Sequence, residues 1–124
     1  MILLSAPVLR LLDAAIAAEK SGDLALRNRL ARAVFDFRAN RDVRLLNGYR
    51  VETYWSPGVR SYRTTITDWL GREVTDANGD FIPADYSGHQ NDAAVAHLWA
   101  INKARSLPQC PDRTPSASAY LPVS

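Results

Sequence analysis

Residues 47–67 read NGYRVETYWSPGVRSYRTTIT, and this stretch decides the fold. Asn47-Gly48 is a turn signal, because both residue types tolerate the positive φ that a tight hairpin requires. After it, Tyr49, Val51, Thr53 and Trp55 alternate with Arg50, Glu52 and Tyr54. Ser56-Pro57-Gly58 reverses the chain, and Tyr62, Thr64 and Ile66 then alternate with Arg63, Thr65 and Thr67. A period of two on both sides of a turn predicts an antiparallel hairpin, 49–55 with 59–67. The alternation sets Trp55 beside Val51 on the core side. Val43, Leu45 and Leu46 suggest a short strand before the hairpin. Beyond Gly71, Arg72–Thr75 reads as a short strand and Asp76–Asp80 as a turn, with Phe81-Ile82 pairing back.

Outward from this sheet the period changes. Leu4, Val8, Leu11, Leu12, Ala15 and Ile16 recur at helical spacing, with Pro7 where a first turn tolerates it, and predict a helix over 5–20. Ser21-Gly22-Asp23 breaks it, and Asp23 is placed to cap the next helix, 24–39, whose apolar stripe is Leu26, Leu30, Val34 and Phe37. Asp85–Gln90 reads as loop. Asn91 is the expected cap of a last helix over 92–105, with Val95, Leu98 and Trp99 on its buried face and His97 turned to solvent. Residues 106–124 contain four prolines and four serines and read as a flexible tail, with Cys110 as a bystander thiol. The expected architecture is a single α+β domain over 1–105: two N-terminal helices, a small antiparallel sheet (hairpin or meander) and one C-terminal helix, followed by the tail 106–124.

With 124 residues the chain is long enough for one core. Its one cysteine excludes an internal disulfide framework. No uncharged run reaches the length of a membrane span. The N-terminal Met1-Ile2-Leu3-Leu4 lacks a basic flank and is interrupted by Arg10 and Asp13, unlike a signal peptide, so a cytoplasmic location and no membrane partner are expected.

The net charge of +2 conceals a gradient. Nine arginines lie between Leu24 and Arg63, opposed by Asp36, Asp42 and Glu52, which leaves that stretch at +6. From Thr64 to Ala104 two basic residues meet six acidic ones, leaving −4. An arginine-rich surface attracts anionic partners. Arg27, Arg29, Arg32, Arg38, Arg41, Arg44, Arg50, Arg60 and Arg63 are therefore the candidate binding residues, with Tyr54 as an exposed ring, and are expected to converge on one patch. Arginine and tyrosine are also enriched at protein interfaces. The expectation is a small non-enzymatic, regulatory or inhibitory protein that engages a protein partner with an acidic surface. Such arginine-rich single domains are common in phage and mobile elements, and a homodimer is among the expected assemblies.

Two alternatives use the same residues. In one, the chain binds nucleic acid: Ser21-Gly22-Asp23 has the length of a helix-turn-helix turn, the second helix with Arg27, Asn28 and Arg32 reads DNA, and the hairpin is a wing. In the other, Glu52 as base, His89 as acid and Arg63 as phosphate clamp form a metal-free ribonuclease site. Two helices followed by an antiparallel sheet is an order similar to that of small bacterial ribonuclease toxins, although none of their motifs is matched here. Asp76, Asn78 and Asp80 alternate like the start of a calcium loop, but Gly79 and Ser87 occupy the wrong positions for one. His89, His97 and Cys110 lack zinc-site spacing. No cofactor and no metal are expected.

Overall fold

The structure, a computed structural model, describes residues 2–75, 78, 82 and 92–110. Helix α1 runs Ala6–Lys20 and turns Val8, Leu12, Ala15 and Ile16 inward. It stops in a Schellman arrangement: Gly22 N–H donates to Glu19 O (3.0 Å) and Asp23 N–H to Ala18 O (2.8 Å), with Gly22 at φ +87°. Asp23 then caps α2, Leu24–Phe35, by accepting from Leu26 N–H at 3.1 Å. One residue thus closes the first helix and opens the second, and the two pack as a hairpin.

Helix α2 ends four residues before the sequence pattern suggests. Asn40 Nδ2 donates to Val34 O (3.3 Å) and Arg41 Nε to Phe35 O (2.6 Å), so side chains satisfy carbonyls that a longer helix would have used. Phe37 is accordingly extended and exposed rather than part of the apolar stripe. A 3-10 turn, Arg38–Arg41, leads into the sheet.

Strands β2 (Asp42–Arg44), β3 (Tyr49–Ser56) and β4 (Ser61–Asp68) form an antiparallel meander, and the two-residue β1 (Ile2–Leu3) adds in parallel to β2. The β2–β3 turn carries Gly48 at φ +94°: Gly48 N–H donates to Leu45 O (3.0 Å) and Leu45 N–H to Tyr49 O (2.8 Å), a three-residue loop closed by a glycine bulge. Tyr49, Val51, Thr53, Thr64, Ile66 and Asp68 face inward and are buried. Of the expected pairing of Arg72–Thr75 with Phe81-Ile82, the described residues show a β-bridge at Thr75 and a bond from Ile82 N–H to Val74 O at 3.2 Å.

Helix α3, Ala93–Arg105, lies between the sheet and α2. Asp92, one residue past the expected cap, accepts from Ala94 N–H (3.1 Å) and Val95 N–H (3.2 Å). Because α3 is covered from both sides, residues around its circumference are buried, His97 among them. A wheel with one apolar face does not describe such a helix. The chain after α3 folds back: Leu107 packs against the core, Cys110 N–H donates to Asn47 O (2.8 Å), and the Cys110 side chain is buried beside Gly48. Cys110 is therefore part of the core. The rest of the expected tail lies outside the described residues, as do most of the expected Asp76–Asp80 turn, the 85–90 loop and His89. No helix among the described residues is long and apolar enough to cross a membrane.

Candidate binding surface

The hairpin is longer than the helices that cover it. Thr53 and Thr64 are the last inward pair under α3, and the next pair, Trp55 and Tyr62, projects past it. Trp55 has the parity of Val51 yet is 53% exposed, which corrects the expectation of a core position. Its ring meets Tyr62 edge-on at 5.3 Å, and Tyr62 meets Phe35 edge-on at 5.5 Å. Such edge contacts stabilise aromatic pairs by roughly 1 kcal/mol beyond area burial.

Arg41 wedges into this ladder. Its guanidinium lies 4.0 Å over the Phe35 ring and 5.6 Å from the Tyr62 ring, with Nη1 3.4 Å from the Tyr62 hydroxyl. On one side of the wedge is a cavity of about 330 Å³ lined by Arg32, Phe35, Asp36, Arg41, Tyr62 and Asp92. On the other is a cavity of about 280 Å³ lined by Arg38, Arg41, Asp42, Glu52, Thr53, Tyr54, Trp55 and Tyr62. Both cavities contain carboxylates, but these are differently employed. Asp42 accepts two hydrogen bonds from Arg50 (2.9 and 3.0 Å), Glu52 lies 3.3 Å from the same guanidinium, and Asp92 caps α3. Arg32, Arg38 and Arg41 form no ion pair among the described residues. The hydrogen bond from Arg50 to Asp42 raises the Arg50 pKa above its ordinary value, against partial burial, which lowers it.

The structure divides the ten candidate residues. Arg32, Arg38, Arg41 and Tyr54 gather at the two cavities. Arg63 stands opposite Tyr54 in the β3–β4 register. Arg27 is held by Glu19 and by Asn28 Oδ1 (3.0 and 2.9 Å), so α2 does not present it as a free base-reading group. Arg50 is held by Asp42 and Glu52. Arg44 lies 5.5 Å from the Trp69 ring and lines a third cavity, about 500 Å³, with Leu4, Leu9, Leu45, Leu46 and Arg105. Arg29 is exposed on α2, and Arg60 occupies the β3–β4 turn at φ +53°. The nine arginines thus do not form a single patch. The rings of Trp55 and Tyr62 belong to the cluster although the sequence reading did not select them. The signal for them was Ser56-Pro57-Gly58, which puts both within a few residues of a hairpin tip.

His97 does not reach this surface. Its Nε2–H donates to Asn40 O (2.7 Å), its Nδ1 accepts from the Thr53 hydroxyl (2.6 Å), and Thr64 donates to Thr53 Oγ1 (2.8 Å). Burial pushes its pKa down to about 4, with Arg41 adding to the effect and the Asn40 carbonyl and Asp42 opposing it. It is a neutral structural histidine that ties α3, β3 and the 3-10 turn together. Of the residues in the ribonuclease reading, Glu52 and Arg63 share the outer face of the sheet, with Glu52 engaged by Arg50. No group of three metal-ligating side chains occurs among the described residues. No protein-family model, no curated protein and no solved structure matches the chain.

Proposed function

We propose that this chain is a non-catalytic interaction protein that docks an acidic protein surface at the hairpin tip and regulates or inhibits that partner by occupying it. One observation carries the reading: exposed Trp55, Tyr54 and Tyr62 stand against Arg32, Arg38 and Arg41, three cations without a carboxylate of their own. Trp, Tyr and Arg are the residues that dominate protein interface energetics. A nucleic acid is the second reading, since the same arginines would meet phosphates and the same rings would stack on bases.

Affinity capture from the native host, with and without nuclease, tests the reading. The wild-type chain is expected to retain a protein partner after nuclease treatment. Trp55→Ala and Arg38→Glu are each expected to weaken it by about 30-fold, the factor that corresponds to a 2 kcal/mol hot spot. Capture lost on nuclease treatment would favour the nucleic-acid reading, and equal capture by wild type and both variants would overturn the site.

A further inference from the structure

A second candidate site lies at the opposite end of β3 from the docking surface, in the cavity of about 500 Å³. Small-molecule sites fall in this size range. Leu4, whose N–H donates to Arg44 O (3.3 Å), and Leu9 of α1 form one wall. Leu45 and Leu46 of the β2–β3 turn and Arg105 of α3 form the rest, with Asn47 between them. Polar contacts fix these walls. Asn47 Nδ2 donates to Ala104 O (2.8 Å) and Leu107 O (3.0 Å), which ties the turn to the end of α3. Arg105 donates to Asn102 Oδ1 (3.2 and 3.1 Å) and to Asp13 Oδ1 (2.5 Å), which ties α3 to α1. The cavity is therefore preformed by the fold.

Leucines and one unanswered cation define its chemistry. Arg105 is neutralised by Asp13, and no carboxylate lines the cavity. Arg44 makes no hydrogen bond and no ion pair among the described residues; its guanidinium lies 5.5 Å from the Trp69 ring. Arg44 Nε is buried without a partner, and so is Asn47 Oδ1. Native proteins leave few buried polar groups in this state, and both of these belong to residues that line this cavity. The terminal nitrogens of Arg44 also lack a partner but reach the surface. We infer that the cavity binds an aliphatic carboxylate, with its chain along Leu4, Leu9, Leu45 and Leu46 and its head on the terminal nitrogens of Arg44. A neutral apolar guest would strip water from Arg44 without pairing it. A phosphate monoester carries about two charges and would meet a single free cation. A carboxylate matches the guanidinium in both charge and planar shape. Leu46, 85% exposed, is the side chain that the aliphatic portion covers. This site does not depend on the docking surface proposed above.

The test titrates the intact protein with decanoate, decanol, decyl phosphate and decyltrimethylammonium, each below its micelle concentration, and reads binding by calorimetry and tryptophan fluorescence. Trp69, whose Nε1 donates to Leu45 O (3.0 Å), is a reporter beside the site. Decanoate is expected to bind about tenfold more tightly than decanol, decyl phosphate no more tightly than decanoate, and the ammonium least of all. Arg44→Gln is expected to abolish the preference for decanoate over decanol. Leu46→Glu alters an exposed side chain, so it keeps the test open if Arg44→Gln fails to fold, and is expected to weaken decanoate by about tenfold through like-charge repulsion. No decanoate binding, equal affinity for decanoate and decanol, or tighter binding of decyl phosphate would overturn the inference. So would either variant, when folded, binding decanoate as the wild type does.

Discussion

Acid should unfold this protein through His97. The ring is buried, donates from Nε2 to Asn40 O and accepts at Nδ1 from Thr53, so protonation costs both its dry surroundings and an accepted hydrogen bond. With the folded pKa near 4 against 6.5 in the unfolded chain, the unfolded state takes up the proton first as pH falls. Stability from this group is complete above pH 6.5, declines as pH drops, and reaches its full loss below pH 4. The linkage relation gives a loss of about 2 kcal/mol at pH 5 and about 3 kcal/mol near pH 4, out of a typical total of about 5–15. Urea unfolding of wild type and His97→Gln between pH 7.5 and 4 is the assay. Glutamine keeps one donor and one acceptor but cannot titrate. The wild-type curve should fall by about 2 kcal/mol more than the variant curve by pH 5. Parallel curves would refute the assignment of a neutral, sealed histidine.

Three further outcomes follow from the packing. Ile101→Ala removes a side chain with no exposed surface from the helix at the centre of the fold, and should cost about 2–5 kcal/mol in urea unfolding. Gly48→Ala places a Cβ at φ +94° and 2.9 Å from Cys110 Cβ, so it should destabilise by roughly 1–3 kcal/mol and loosen the attachment of Cys110, seen as faster thiol labelling. Arg38→Glu, exposed and without an ion pair, should change stability by less than about 0.5 kcal/mol, which separates its loss of partner binding from misfolding.

The elements were legible because their signals are local. Asn47-Gly48 and Pro57-Gly58 mark the turns, the alternation of residues 49–67 gives the strands, and Asp23 gives the second helix its cap. What depends on three-dimensional coverage was not legible. Helix α2 stops early because Asn40 and Arg41 reach back to its last carbonyls, a contact no propensity encodes. His97 and Trp55 exchanged their expected places for one reason: α3 is enclosed on both sides, and the hairpin overshoots it. The charge gradient pointed to arginines in general. Only the fold separated Arg27 and Arg50, consumed by Glu19, Asp42 and Glu52, from Arg32, Arg38 and Arg41. Pro108 and Pro111 give the stretch around Cys110 the composition of a tail, whereas Asn47 O and the space beside Gly48 hold it in the core.

Site-specific photo-cross-linking tests the docking surface most directly. A benzophenone amino acid is placed at Trp55, or at Leu46, which is 85% exposed in the β2–β3 turn at the opposite end of β3. Irradiation in nuclease-treated host extract should give one discrete protein adduct from position 55 and none from position 46. The same adduct from both positions, or none from position 55, would contradict the account.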